Sequence, residues 1–341
     1  MRSRLGREAR GRRTAAPRRH RLRRGVAVAL LVAAAGGGAV AAQGGAHHAL
    51  APPAKPPPPA PKPKPPYPVG VLVLNYTEPG RTVTYANGEV APRSLTTYIR
   101  YPAKQSGLNT PPLAGPFPLV IFGHGFDKAP SFYAPLLQQL AQAGFVVASP
   151  VFPLENPQAP GGPLRSDLPN EPGDIVFLHS QLIAEAENPS SPLFHLLDPA
   201  AVAVAGQSDG GDAALTVGYG EGENNPWVKA VVVFSGAEIP GVNYVWRAGE
   251  PPLLATQGTA DRINLPAETE AFWDHALPPK YLLWLTGASH LGPYSTEQPY
   301  EQVVAQTTIC FLRLYLLHRC SAADLAAAAD RPGISYLEGT G

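Results

Sequence analysis

The chain has 341 residues, with 27 Lys and Arg against 26 Asp and Glu, and its net charge of +1 hides a sharp division. Residues 1–68 hold 14 of the basic side chains and one acid, Glu8, so the rest of the chain carries a net charge of about −12. That acidity argues against a nucleic-acid partner, which is held mainly by Lys and Arg, and two cysteines are too few for a disulfide scaffold or a Cys-rich zinc site.

The first 24 residues include 11 arginines, and from Gly25 the sequence turns apolar through Val26, Val28, Leu30, Leu31 and Val32. It closes with Ala39-Val40-Ala41, small residues at the two positions a signal peptidase reads. Residues 1–42 are therefore expected to be a signal peptide, with an uncleaved membrane anchor as the alternative. Residues 43–68 follow as a linker with 11 prolines between Pro52 and Pro68. Each proline removes an N–H and fixes φ, so a disordered, extended polyproline II spacer is expected here. It is either a tether to a membrane or cell wall or an inert tail, and the body it leads to is expected to be secreted or held in the cell envelope.

Residues 69–335 alternate short β-branched runs with longer helical stretches. Strands are predicted over 69–76, 94–101, 118–122, 145–151, 201–206, 229–235, 252–257 and 280–285. Helices are predicted over 131–143, 174–186, 208–219, 267–275 and 300–317. Runs such as PLVIF, VAVAG and AVVVF are apolar throughout, as expected where helices cover both faces of a parallel sheet. The predicted architecture is α/β, a doubly wound and mostly parallel eight-stranded sheet, with its chemistry at the carboxyl ends of the strands.

The third strand runs into Gly123-His124-Gly125-Phe126, where glycines let the backbone approach a substrate. The fifth runs into Gly206-Gln207-Ser208-Asp209-Gly210 and then a helical stretch, a GxSxG turn in its required context. A serine hydroxyl is a weak nucleophile until a histidine accepts its proton and an acid holds that histidine's tautomer. Downstream, one strand ends in Gly258-Thr259-Ala260-Asp261 and the next in Thr286-Gly287-Ala288-Ser289-His290. Ser208, Asp261 and His290 are thus the candidate triad, with Glu238 as the rival acid. A tetrahedral intermediate needs two backbone donors, and these are assigned to the N–H groups of Phe126 and Asp209. His124 is expected to bond its own loop, and the Asp209 side chain to be solvated or paired without a catalytic role.

At GHGF, GQSDGG, GTADRINLP and GASHLGP, over about residues 70–320, the sequence resembles the α/β-hydrolase superfamily. Within it the resemblance is to the esterase branch of dienelactone hydrolase-like, chlorophyllase-like, platelet-activating-factor acetylhydrolase-like and polyester hydrolase-like enzymes. The resemblance implies the α/β-hydrolase fold, a triad of Ser208, Asp261 and His290, and Phe126 and Asp209 as the oxyanion pair. Dienelactone hydrolases proper use a cysteine nucleophile, so Ser208 points to ester chemistry. Many members insert a helical cap, but residues 236–251 are only loop length, so no cap domain and an open site are expected. Residues 152–173 are expected to rim it. Trp246, Trp273, Trp284, Tyr294 and Phe126 either line an apolar cleft or pack in the core.

The expected function is that of an exported serine hydrolase acting on carboxylic esters, small or polymeric, through an acyl-enzyme, without cofactor or metal and as a monomer. A serine peptidase or envelope acyltransferase on the same triad is the alternative, and an inactive binding protein a third. Cys310 and Cys320 would stand about 15 Å apart on a continuous helix, but could bond if the helix ends near Leu316.

Overall fold

The computed structural model describes residues 65–223 and 225–341. The expected signal peptide (1–42) and most of the expected linker (43–68) lie outside the described residues.

Runs that are apolar on both faces can only sit between two layers, and here they form the middle of one sheet. Its strands are β1 (Val69–Thr84), β2 (Val90–Pro102), β3 (Gly107–Leu108), β4 (Phe117–Gly123), β5 (Val146–Val151), β6 (Leu197–Gln207), β7 (Val228–Phe234), β8 (Leu253–Gly258), β9 (Lys280–Leu285) and β10 (Ser335–Thr340). The order across the sheet is β10-β9-β8-β7-β6-β4-β5-β2-β1-β3. From β5 through β4 and β6 to β9 every pairing is parallel, while β1 on β2, β2 on β5 and β10 on β9 are antiparallel.

Helices α1 (Ala134–Gln142), α5 (Tyr300–Leu317) and α6 (Ala322–Ala329) cover one face; α2 (Glu171–Glu187), α3 (Asp209–Tyr219) and α4 (Pro266–His275) cover the other. Side chains alternate between the layers. Ile121, Val204 and Val233 pack toward α2 and α3, and Val120, Ala205 and Val232 toward α1 and α5. The chain leaves β4 over one face through α1 and returns over the other through α2. The carboxyl ends of β4 and β6 therefore meet where the winding reverses, which is where such sheets open a crevice. Among the described residues no helix is inserted between β7 and β8, where the connection is a loop.

All eight expected strands and five expected helices are present, but the sheet has ten strands rather than eight. The two-residue β3 is too short to show a period. β10, SYLEGT, is half exposed at an edge and extends the ordered body past residue 335. Helix α6 was also not expected; Ser321 caps it, accepting from the Asp324 N–H at 3.1 Å. Helix α5 stops at Leu317, where His318 turns left-handed at φ 53° and reverses the chain. That turn brings the Cα atoms of Cys310 and Cys320 to 5.7 Å, and the two are disulfide-bonded. Among the described residues no helix is long and apolar enough to cross a membrane.

One buried ion cluster fixes the opening hairpin to the segment after β5. Arg93 of β2 bonds Asp174 at 2.5 Å through Nε and again through Nη2, and Asp167 at 3.0 and 2.8 Å. Burial lifts the Asp174 carboxyl to about 6 against the pull of Arg93. Arg93→Met would leave two buried carboxylates without their main cation, and urea unfolding should show a loss of about 3–5 kcal/mol. A loss under about 1 kcal/mol would mean the carboxylates do not depend on Arg93.

Candidate active site

Between the last residue of β6 and the first of α3 the chain turns within one residue. Ser208 takes φ 53° and ψ −128°, a region that costs an L-residue about 1–3 kcal/mol. Main-chain contacts hold it there. A Cβ on Gly206 would lie 2.0 Å from the Gly210 carbonyl oxygen, and one on Gly210 would lie 2.3 Å from Gly123. Only glycines let the ends of β4 and β6 and the start of α3 pack this closely. The Ser208 N–H donates to the Phe234 carbonyl at 2.9 Å, and its own carbonyl accepts from Asp212 N–H at 2.9 Å.

The loops after β8 and β9 bring the other two expected side chains to this serine. His290 Nε2 is 2.9 Å from Ser208 Oγ, and His290 Nδ1 is 2.7 Å from Asp261 Oδ2. All three residues are buried. The second Asp261 oxygen accepts from the N–H groups of Ile263 and Asn264 at 2.9 and 3.2 Å. Burial pushes the Asp261 carboxyl up, but the bonds from His290 and Ile263 outweigh it and hold the group below its ordinary value. An ionised Asp261 only accepts, so it fixes the proton on His290 Nδ1 and leaves Nε2 free to accept from Ser208. Glu238, the rival acid, is exposed.

The turn after β4 lies against the serine from the other side. A Cβ on Gly125 would stand 3.0 Å from Ser208 Cβ. His124 Nε2 accepts from Phe152 N–H at 2.9 Å, so its proton is on Nδ1, which donates to the Gly125 carbonyl at 2.9 Å. Lys128 N–H donates to the same carbonyl at 3.1 Å. In a trans peptide the N–H points opposite the C=O, so these bonds aim the Phe126 N–H away from its own loop. Among the described residues neither the Phe126 nor the Asp209 N–H is taken up by another group. Burial pushes His124 down to about 4, which keeps it neutral.

The side chain of Asp209 is paired, with Arg165 donating from Nε and Nη2 at 2.8 Å each. Segment 152–173 thus touches the residue next to the serine, as expected of a rim. Just behind it, Glu155 and Glu171 are fully buried and meet no donor from elsewhere among the described residues. The two lie against each other and both are held above the ordinary glutamate range, so a proton between them would satisfy both. Burial is the main cause in each, followed by the Asp209 charge for Glu155 and by the Glu155 charge for Glu171.

Sequence reasoning missed Gln207, Tyr133, Arg165, Glu155 and Glu171. Trp284 and Tyr294 are core residues, Tyr294 bonded to Ser235 and Thr256, while Trp246 packs on Tyr219 and Trp273 lies under Lys280. Among the described residues no cluster of His, Cys, Asp and Glu is arranged to hold a metal ion.

The family model for chlorophyllase matches residues 82–267, more than half of the chain. That stretch takes in Phe126, Ser208 and Asp261 and stops before His290. Chlorophyllase-1 of Arabidopsis thaliana is 24% identical over 184 residues, 52% of this chain and 54% of that protein. The chain therefore matches about half the length of this curated relative. A ferulic acid esterase from Streptomyces cinnamoneus aligns with a TM-score of 0.59 at 20% identity, covering 78% of this chain and 94% of that one. At that identity the likeness shows the fold, an α/β-hydrolase fold.

The raised Glu155 and Glu171 carboxyls give the fold a pH dependence whose sign can be measured. Their folded values are raised, so the stability they contribute is full below the ordinary value of 4.5 and is lost as pH rises above it. His124 acts oppositely: its contribution is full above 6.5 and lost as pH falls toward about 4. The melting temperature should fall between about pH 6.5 and about pH 9, and Glu155→Gln, which donates to Glu171 without needing a proton, should flatten that fall. Equal slopes in both proteins would rule out the shared proton.

Proposed function

The chain belongs to the chlorophyllase family, and from that premise we propose that it is an exported carboxylic ester hydrolase acting through Ser208, His290 and Asp261 and an acyl-enzyme intermediate. The observation that carries this reading is the continuous path from Ser208 Oγ to His290 Nε2 at 2.9 Å and from Nδ1 to Asp261 at 2.7 Å.

In the proposed reaction Ser208 Oγ attacks the ester carbonyl carbon while its proton passes to His290 Nε2. The carbonyl oxygen becomes an oxyanion, held by the N–H groups of Phe126 and Asp209; one such donor is worth about 10²- to 10³-fold in rate. Asp261 keeps Nδ1 protonated and stabilises the imidazolium. The C–O bond to the alcohol then breaks, and the alcohol leaves with the proton from Nε2. Water repeats the sequence on the acyl-serine, giving the free acid and restoring Ser208.

The reading is supported by the bonds already made by the Gly125 carbonyl and by the start of α3 at Asp209, which would let both N–H groups meet an oxyanion without rearrangement. A short loop where related folds carry a cap leaves the rim open, which suits bulky or polymeric esters. Export is supported by the basic and apolar leader and by the Cys310–Cys320 disulfide, a bond that persists in oxidising compartments.

The test is a panel of esters of rising acyl length, with an aromatic polyester and a peptide anilide. Ester turnover is expected, with kcat falling by about 10⁴-fold or more in Ser208→Ala and the folded state retained. Faster cleavage of the anilide would replace the esterase reading with a peptidase. Full activity in Ser208→Ala would remove the serine mechanism.

A further inference from the structure

One buried hydrogen-bonded path at the site is not used by the reaction as written. The Gly125 N–H donates to Tyr133 Oη at 3.1 Å. A hydroxyl that accepts there turns its own proton the other way, and Tyr133 donates it to Gln207 Oε1 at 2.7 Å. The amide carbonyl of Gln207 therefore faces Tyr133 and its NH₂ faces the histidine. Gln207 Nε2 donates to the His290 carbonyl at 3.1 Å and lies 3.2 Å from His290 Nε2. The orientation of this amide is set from both ends, since turning it over would put Oε1 against another carbonyl oxygen and NH₂ against a hydroxyl already committed as donor. Tyr133 and Gln207 are both fully buried, so water does not compete for these bonds.

We propose that Gln207, oriented by Tyr133, is a positioning residue that holds His290 and the His124-Gly125 peptide, the one just before the Phe126 N–H, in one register. Gln207 immediately precedes the serine, and it connects the histidine to the peptide next to the Phe126 donor, so it bears on two groups that must agree on one point in space. The oxyanion donor places the carbonyl, and the histidine must reach both Ser208 Oγ and the departing alcohol oxygen. A ring fixed at its backbone carbonyl and flanked at its Nε2 edge keeps that setting while the proton moves. Asp261 holds Nδ1 alone and cannot stop the ring tilting about that bond. The charged and titratable groups at the ring are Asp261 and Ser208; Gln207 adds no charge.

The inference rests on the hydrolase reading, and the test separates the two. Single-turnover acylation would be measured for p-nitrophenyl butyrate, whose alcohol leaves as an anion, and for ethyl butyrate, whose alcohol must receive the proton from Nε2. Gln207→Met should lower acylation by ethyl butyrate by about 10²-fold, with KM within about twofold of wild type and a distinctly smaller loss on the p-nitrophenyl ester. Tyr133→Phe should act in the same direction more weakly, and the double variant should lose about as much as Gln207→Met alone. The downfield proton resonance of the His290–Asp261 bond should be sharp in wild type and broadened in Gln207→Met, a readout that needs no turnover.

Equal losses on the two esters, losses that multiply in the double variant, or an unchanged proton resonance would each overturn the positioning role. If wild type turned over neither ester while the resonance still responded to Gln207→Met, the esterase reading would fail and the positioning of His290 would stand.

Discussion

The site depends on a contact between backbones. Gly210 at the start of α3 lies so close to Gly123 at the end of β4, and to Gly206 in β6, that no side chain fits between them. Three elements distant in sequence are thereby locked at one point. Ser208 is forced into its strained turn, α3 begins directly behind it, and the loop carrying Phe126 is pressed against its Cβ. The proposed nucleophile and both proposed backbone donors come from this main-chain packing. Asp261 and His290 are then added from the loops after β8 and β9.

The carboxylates around this point show that burial alone does not set ionisation. Asp261 and Glu171 are both shut away from water, yet they move in opposite directions. Asp261 meets the imidazole N–H and two backbone N–H groups, so its charge is solvated by the protein. Glu171 meets only another acid and must keep or share a proton. Asp209 is a third case, exporting its charge to Arg165, whose guanidinium reaches solvent. Carboxyl groups thus meet three different fates around one site according to the donors that the backbone and neighbours supply.

What could be read from the sequence was what is local in it. PLVIF and AVVVF had to be buried strands, GQSDGG had to be a turn between strand and helix, and the end of each later strand offered an acid and a histidine in the expected order. Helix α6 was not expected although a local signal for it exists, since Ser321 and Asp324 form a capping box ahead of an alanine run. The disulfide turned on where α5 stops, and nothing around His318 announces a left-handed residue. Gln207 could not have been singled out: its partner Tyr133 lies 74 residues away and its partner His290 lies 83 away. Strand β10 escaped for a different reason, because an edge strand paired on one side can stay polar and short.

The rim and Ser208 are also one mechanical unit. Segment 152–173 is tied to the opening hairpin by Arg93 through Asp167, with Asp174 of α2 on the same guanidinium, and to the turn at Ser208 by Arg165 through Asp209. On the proposed reading, this segment is what an incoming ester would meet beside Ser208. The Arg93–Asp167 pair is buried on both sides and the Arg165–Asp209 pair on the carboxylate side, so leaving either carboxylate unpaired is expensive. A substitution at the rim that disturbs Arg165 therefore acts on Asp209, the residue whose N–H is proposed to face the oxyanion. On the proposed reading, substrate fit at this rim and stabilisation of the transition state cannot vary independently, and the ion cluster behind the rim is the physical reason.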